Sequence, residues 1–403
     1  MVICSVASKH YDFVVAGAGI IGLTIARELA ERRLGTVCVL EKETGVGMHA
    51  SGRNSGVVHA GLYYPSGSLK SKVCVEGSKR LAAYAAEKGI AFHRTGKVVV
   101  ASTPSKARLV EPLYRQAVAN GVRVELVDEK KLREIEPEAR TCGQAIYSPD
   151  TAVIDSKGVL EALRTDLSSL GVEICFGHEY GLSTRQGRLE YGHLINATGQ
   201  HADRLAHSMG VGKKYRILPF KGMYKKLRPE AAGRFRGLIY PVPDSELPFL
   251  GVHLTRTVGG EVMIGPTALP ALGRENYGGW KGWSLSDLPF ILRDLSIMVF
   301  LNQNGLRNMT LDELSKVTAS GFWKHAKRLA PSIRLEDILP SEKVGIRAQL
   351  VDEETMRLVM DFVIEDGPRS THILNAVSPA FTSSLAFAQL VADRIEKKNG
   401  SFA

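Results

Sequence analysis

The chain has 403 residues, 44% hydrophobic and 23% charged, an ordinary globular composition in a length that exceeds one core and predicts two domains. It holds no apolar run of membrane-spanning length and no signal-peptide core before Phe13, so it reads as a cytoplasmic protein starting near residue 1. Five scattered cysteines (Cys4, Cys38, Cys74, Cys142, Cys175) without a C-x-x-C pair argue against a disulfide framework or a metal site, and a net charge of +10 without an arginine-rich tract favours small anionic partners over nucleic acid.

The first predicted unit is the strand Phe13-Val14-Val15-Ala16, the turn Gly17-Ala18-Gly19-Ile20-Ile21-Gly22, a helix, and a second strand Val37 to Leu40 ending at Glu41. Gly17 makes the tight turn, Gly19 lets a pyrophosphate approach the backbone, and Gly22 lets helix and strand lie close. The helix N-terminus then faces the phosphates, and Glu41 stands where a ribose would be held. Residues 44–64 are dense in Gly, Ser and His and predict an ordered loop against a ligand.

Helical spacing returns over residues 68–88. A short buried strand follows from Gly96 to Ser102, then helices over 104–120 and 128–135 with a strand at Val122 to Leu126 between them. A second nucleotide-side unit begins near Thr151, with a helix from Ser156 to Leu170, a strand over 171–176, and a strand ending in Asn196-Ala197-Thr198-Gly199. Small residues there let a cofactor backbone pass close by.

Residues 214–270 alternate as strands at Tyr215 to Leu218, Met223 to Leu227, Gly237 to Tyr240, Leu250 to Leu254 and Glu261 to Ile264, which predicts an antiparallel sheet. Residues 285–330 are helical. The apolar stretch Leu288 to Leu301 is read as core-packed rather than interfacial, because Arg293, Asp294 and Asn302 give it little basic face. Strands near Phe362 and His372 precede Ser378-Pro379-Ala380-Phe381-Thr382-Ser383-Ser384, which opens a final helix.

The glycine triplet, Glu41, the run Asn54-Ser55-Gly56-Val57-Val58-His59-Ala60-Gly61-Leu62-Tyr63-Tyr64, Asn196 to Gly199, Pro219 to Gly222, Phe249 to Thr255, Gly345 to Gln349 and Ser378 to Ser384 resemble the D-amino-acid-oxidase-type FAD-dependent oxidoreductase superfamily. Within it they are most similar to the L-2-hydroxyglutarate dehydrogenase/oxidase branch. The resemblance spans nearly the whole chain. It departs at Arg53, where histidine is common, at Lys221, where arginine is common, and over residues 280–335, which match poorly.

The resemblance implies a Rossmann-like, glutathione-reductase-type α/β FAD-binding domain and an α+β substrate domain with an antiparallel sheet. The segments 10–88, 145–213 and 336–403 would bind FAD; 89–144 and 214–335 would bind substrate. FAD would lie against Gly17, Gly19, Ile20, Ile21, Gly22, Glu41 and Lys42, then Ser51, Arg53, Asn54, Ser55 and Gly56, then Ala197, Thr198 and Gly199, and last Ser378, Pro379, Ala380, Phe381 and Thr382. The implied reaction is FAD-dependent oxidation of L-2-hydroxyglutarate to 2-oxoglutarate.

That chemistry needs a hydride acceptor, a base and cations. His59 is the first choice for the base, since the resemblance puts its loop beside the flavin ring; His253 is the second. Arg347 is the carboxylate clamp, because its planar fork binds a carboxylate through two parallel bonds. The competing reading of Arg347 is an internal salt bridge. Tyr63, Tyr64, Lys221 and Thr255 are weaker substrate-binding candidates. His49 raises a covalent flavin bond, but non-covalent FAD is preferred. The substrate alternatives are glycerol-3-phosphate, glycine and sarcosine, and the alternative from another class is a non-catalytic FAD-binding protein. Oxygen, a quinone and an electron-transfer flavoprotein remain as electron acceptors, and peripheral contact with the inner face of a membrane stays open.

Overall fold

The computed structural model describes residues 10–179, 183–184, 187–243 and 249–400; Cys4 and Lys9 lie outside them. The strand His10–Ala16 runs into the glycine turn and the helix Ile20–Glu31, and Val37–Glu41 returns parallel to it. Val14, Val15, Cys38 and Val39 are fully buried, as strands covered on both faces require. Around this unit a six-stranded sheet forms in the order Ile364–Gly367, Ser370–Ile373, Glu190–Asn196, His10–Ala16, Val37–Glu41, Glu173–Phe176. Only the first pair is antiparallel.

Four helices, Ile20–Glu31, Leu69–Glu87, Ser156–Ser169 and Ala380–Gly400, share one hydrophobic core on one face of this sheet. Two start with side-chain caps: the Ser68 hydroxyl accepts from the Ser71 N–H, and the Asp155 carboxylate from the Lys157 N–H. On the other face Leu205 packs with Val14, Cys38 and Leu40.

The second layer is a ten-stranded, largely antiparallel sheet. Toward one edge it carries a long ladder between Tyr215–Leu227 and Ile338–Asp352, which sets Phe220 opposite Arg347. The two separate strands expected at 215–218 and 223–227 are therefore one strand, with a register shift between Met223 and Lys225. His253–Arg256, Val262–Gly265 and Leu238–Pro241 continue the sheet, and Lys97–Val100 joins it parallel to Leu238–Pro241. The strand expected at Val122 to Leu126 lies at Glu125–Val127.

Ala145–Ser148 pairs with Lys97–Val100, and Ile338–Asp352 pairs with Tyr215–Leu227, so both strands lie in the ten-stranded sheet. Their partners are remote in sequence, where local periodicity carries no information.

The 285–330 region forms the helices Leu288–Phe300, Leu306–Ser315 and Ala319–Leu329. The first buries Ile291 and Met298 against Leu218, Phe220 and Phe249. It also exposes Phe290, Leu292 and Phe300, next in sequence to exposed Trp280 and Leu285, so the core reading holds for one face of the helix only. Among the described residues no helix is long and apolar enough to cross a membrane.

Candidate active site

The glycine turn is sterically closed. A Cβ on Gly22 would stand 1.9 Å from the Gly17 carbonyl oxygen, and one on Gly17 would stand 2.6 Å from the Ala197 carbonyl oxygen. Gly17 also has φ +107°, a backbone state that L side chains rarely adopt. Gly19 differs: a Cβ there would meet only the Ser51 hydroxyl, at 3.1 Å. Gly19 caps the helix without a side-chain bond, and the Ile20 N–H donates to the Ser51 oxygen at 2.9 Å. The helix N-terminus thus opens into a cavity with a hydroxyl set across it, a fitting cradle for phosphate. The Glu41 carboxylate accepts from the Ala18 N–H at 2.7 Å, which fixes it beside the turn.

One cavity runs from this turn to the ten-stranded sheet. Gly17, Gly19, Ile20, Ile21, Glu41, Lys42, Ser51, Arg53, Asn54, Ser55, Ala197, Thr198, Gly199, Ser378, Pro379, Ala380, Phe381 and Thr382 all line it. Gly22 and Gly56 do not; Gly22 is spent on strand–helix packing, and Gly56 holds a φ of +73° where the loop turns. Such a continuous polar-to-apolar cleft along a Rossmann edge fits an extended dinucleotide.

His59 and Arg347 line the same cavity. The His59 backbone is pinned, its N–H donating to the Thr382 hydroxyl at 3.1 Å, and its ring Nδ1 is buried without a partner among the described residues. Burial, with Lys97, His253 and Arg347 nearby, pulls the imidazole down to about pKa 3, so it is neutral and proton-accepting. Arg347 lies over the Phe249 ring at 4.8 Å and faces Tyr224 and Tyr64. It makes no ion pair among the described residues; burial lowers its affinity for the proton. An uncommitted guanidinium in a cavity favours the clamp over the internal salt bridge.

The remaining sequence candidates do not line this cavity. His253 is buried, its Nδ1 2.9 Å from the Gly251 carbonyl and its ring stacked on Tyr240 at 3.9 Å, and it does not line the cavity. Tyr63, Tyr64 and Thr255 do not line it either; Tyr63 stacks on Tyr240 at 6.4 Å. The Lys221 ammonium donates to the Asn276 side-chain oxygen at 2.6 Å and is likewise off the cavity. Strand alternation identifies residues on one face, but not which of them reach past the neighbouring side chains.

Sequence reasoning missed several residues. Lys97 is fully buried, its ammonium over the Tyr63 and Tyr240 rings at 4.5 and 5.2 Å, with no hydrogen-bond partner among the described residues. Burial brings it down to about pKa 7. A lysine inside the Val98-Val99-Val100 strand was the available signal. Phe220, Tyr224 and Phe249 build the apolar wall around Arg347. At the nucleotide end, His49 uses both ring nitrogens: Nδ1 is 2.8 Å from the Tyr277 hydroxyl, and Nε2 is 2.9 Å from Glu43. Glu43, His49 and Glu275 come within ligand distance of one another, but the Lys42 ammonium pairs with both carboxylates.

The chain belongs to the DAO family of FAD-dependent oxidoreductases, whose family pattern matches residues 12–394. It is thus an oxidoreductase with FAD as its cofactor. It is 37% identical to the mitochondrial L-2-hydroxyglutarate dehydrogenase of Nematostella vectensis, covering 97% of this chain and 91% of that one. The L-2-hydroxyglutarate dehydrogenase of Escherichia coli strain UMN026 is 36% identical over 96% of this chain and 93% of its own. Among solved structures, the dithionite-reduced L-α-glycerophosphate oxidase of Mycoplasma pneumoniae with FAD bound superposes with a TM-score of 0.75 at 20% identity, covering 94% of this chain and 93% of that one. That likeness shows the fold.

Proposed function

We propose that the protein oxidises L-2-hydroxyglutarate to 2-oxoglutarate. The observation that carries this reading is one cavity in which the glycine turn, a neutral imidazole and an unpaired guanidinium meet; the names of the relatives point the same way. The six-stranded layer with its helices holds FAD, and the ten-stranded sheet supplies the substrate wall. Bound FAD supplies a hydride acceptor. Arg347 fixes a substrate carboxylate through its fork, which orients the C2–H bond as well as neutralising charge. His59 takes the hydroxyl proton. Its low basicity before substrate arrives follows from burial and from the cations around it; a bound dianion offsets those cations and makes the imidazole a better base. The apolar wall of Phe220, Tyr224 and Phe249 excludes water from the reacting carbon.

Electrons then leave to oxygen, a quinone or an electron-transfer flavoprotein. The exposed Trp280, Leu285, Phe290, Leu292 and Phe300 support contact with a membrane surface. The test of the reaction is anaerobic mixing with L-2-hydroxyglutarate while the flavin absorbance is followed, with D-2-hydroxyglutarate, glycerol-3-phosphate and sarcosine in parallel. Bleaching by the L-acid alone is expected. Bleaching by a different compound moves the substrate, and a protein that none of them bleaches loses the catalytic reading.

A further inference from the structure

The segment Ala271–Asp287 leaves the ten-stranded sheet, crosses to the nucleotide-binding layer, and returns into the helix Leu288–Phe300. It is fastened there by polar contacts rather than by apolar packing. At its root, the buried Arg274 donates to the Asp203 carboxylate at 2.9 Å and to Asp287 at 3.3 Å, and also to the Gln200 carbonyl at 2.7 Å. Asp203 and Gln200 follow the Ala-Thr-Gly turn of the other layer.

Most of the contacts at its middle fall on residues that line the cavity, whereas at the root only Gln200 does. The Glu275 carboxylate meets the Lys42 ammonium at 2.8 Å and the His201 Nε2 at 2.8 Å. The Tyr277 hydroxyl meets His49, and the Arg53 guanidinium lies over the Tyr277 ring at 4.2 Å. Lys42, His49, Arg53 and His201 all line the cavity. Lys42 follows Glu41, which marks the end of the cleft where an adenosine ribose is held in this fold.

We infer that Ala271–Asp287 is a strap that closes the adenosine end of the FAD cavity, rooted by Arg274 and latched by Glu275 and Tyr277. It rests on the reading that this cavity holds FAD. The split between root and latch follows from burial: Arg274 is 6% exposed, whereas the Glu275 side chain keeps 34% exposure. A buried, multiply bonded arginine stays put, while a partly solvated carboxylate exchanges partners with water at small cost. The hydrogen bond from His201 and the Lys42 charge hold the Glu275 carboxyl well below the usual carboxylate range, as a latch in use at neutral pH requires. The crest, Gly278-Gly279-Trp280-Lys281, is exposed and closed on itself, with the Asn276 amide donating to the Gly279 and Lys281 carbonyls at 2.9 Å each, so it moves with the latch as one turn.

The strap predicts that cofactor exchange is limited by latch opening. The experiment dilutes FAD-loaded wild-type protein, E275Q and the double variant E275Q/Y277F, and follows release by flavin fluorescence. In parallel, brief trypsin digestion reads cleavage after Lys281. The double variant should release FAD roughly 10-fold faster, the loss of about one charge-assisted contact, and should be cut faster after Lys281 at the same FAD occupancy. Release within twofold of wild type in both variants would overturn the strap. Faster release with unchanged cleavage would also overturn it, since Glu275 would then be a local contact only. The cofactor placement fails separately: if G19V retains stoichiometric FAD, the cavity is not the FAD site, whatever the strap variants do.

Discussion

Replacing Arg347 separates a substrate clamp from a structural ion pair by sign as well as by size. Arg347 sits opposite Phe220 in the ladder, above the Phe249 ring at 4.8 Å, and makes no ion pair among the described residues, Glu313 acting on it only through its charge. In Arg347→Lys the charge remains but the fork does not. One charge-assisted hydrogen bond of about 1.5–3 kcal/mol is lost, so the substrate dissociation constant should rise roughly 10- to 100-fold. In Arg347→Met both bonds go, and the loss should reach roughly 1,000-fold. Stability should move the other way. Breaking a buried salt bridge leaves its partner charge stranded and costs about 3–5 kcal/mol; removing an unpaired, desolvated guanidinium strands nothing. Arg347→Met should therefore keep or raise the midpoint of thermal unfolding of the substrate-free protein. The assays are rapid-mixing flavin reduction over a substrate series and thermal unfolding of the same samples. Unchanged apparent affinity for every diacid tested would remove Arg347 from the site, and a large drop in stability would return it to the salt-bridge reading.

Gly19→Val should give a folded, colourless protein, because its Cβ meets only a serine hydroxyl while its methyls enter the cleft; yellow protein with one FAD per chain would refute this. Gly22→Ala, with a Cβ 1.9 Å from the Gly17 carbonyl, should instead fail to accumulate as folded protein in circular dichroism. His59→Ala should slow flavin reduction by roughly 100- to 10,000-fold, and the wild-type kcat/KM should show no His59 limb between pH 5 and 8, since the free-enzyme imidazole titrates near pH 3. Acid should destabilise the fold early: burial holds His59, His253, His193 and His372 at about pKa 3, 4, 4 and 4, so the unfolded chain binds protons that the folded chain refuses once the pH falls below about 6.5. Each histidine then costs about 1.4 kcal/mol per pH unit until its folded value is reached, and denaturant midpoints equal at pH 7 and pH 5 would contradict it. Serine at Trp280, Leu285 and Phe300 together should weaken sedimentation with anionic lipid vesicles, and equal sedimentation would discard the membrane face.

The first half of the site was legible because its chemistry is local. Gly17, Gly19, Gly22 and Glu41 sit within one strand–helix–strand unit, and the spacing that made them readable is the spacing that closes the turn. The long ladder was not legible. Gly345 to Gln349 stands out in the sequence only as a motif of the resemblance, yet it is the middle of Ile338–Asp352, whose partner lies over a hundred residues away in Tyr215–Leu227. Register is set by that partner, and with it the placing of Arg347 opposite Phe220 on the cavity wall. Lys97 carries no local signal beyond being one lysine in a short buried strand, because the groups that enclose it come from remote segments. In the fold, neighbouring strands and the Tyr63 and Tyr240 rings close over it.

The pairing of Tyr215–Leu227 with Ile338–Asp352 also explains why one residue couples the two layers. The chain leaves the ladder at Asp352 and within a dozen residues enters the six-stranded sheet at Ile364, so Arg347 is carried on the strand that ties the substrate wall to the nucleotide layer. Gly345, two residues earlier, approaches the Arg53 carbonyl of the glycine-rich loop so closely that a Cβ would stand 3.2 Å from it. The clamp is therefore referenced to the loop that carries His59 and not only to its own sheet. A side chain at Gly345 would push the strand from that loop and shift Arg347 relative to His59. The contact asks for a shift of only a few tenths of an ångström, short of the ~1 Å misplacement that costs about 100-fold in proximity chemistry, so Gly345→Ala should lower the rate of flavin reduction at saturating substrate by less than about 100-fold, and by more than it lowers substrate affinity. An effect confined to affinity would mean that the ladder, and not the loop, sets the distance between base and clamp.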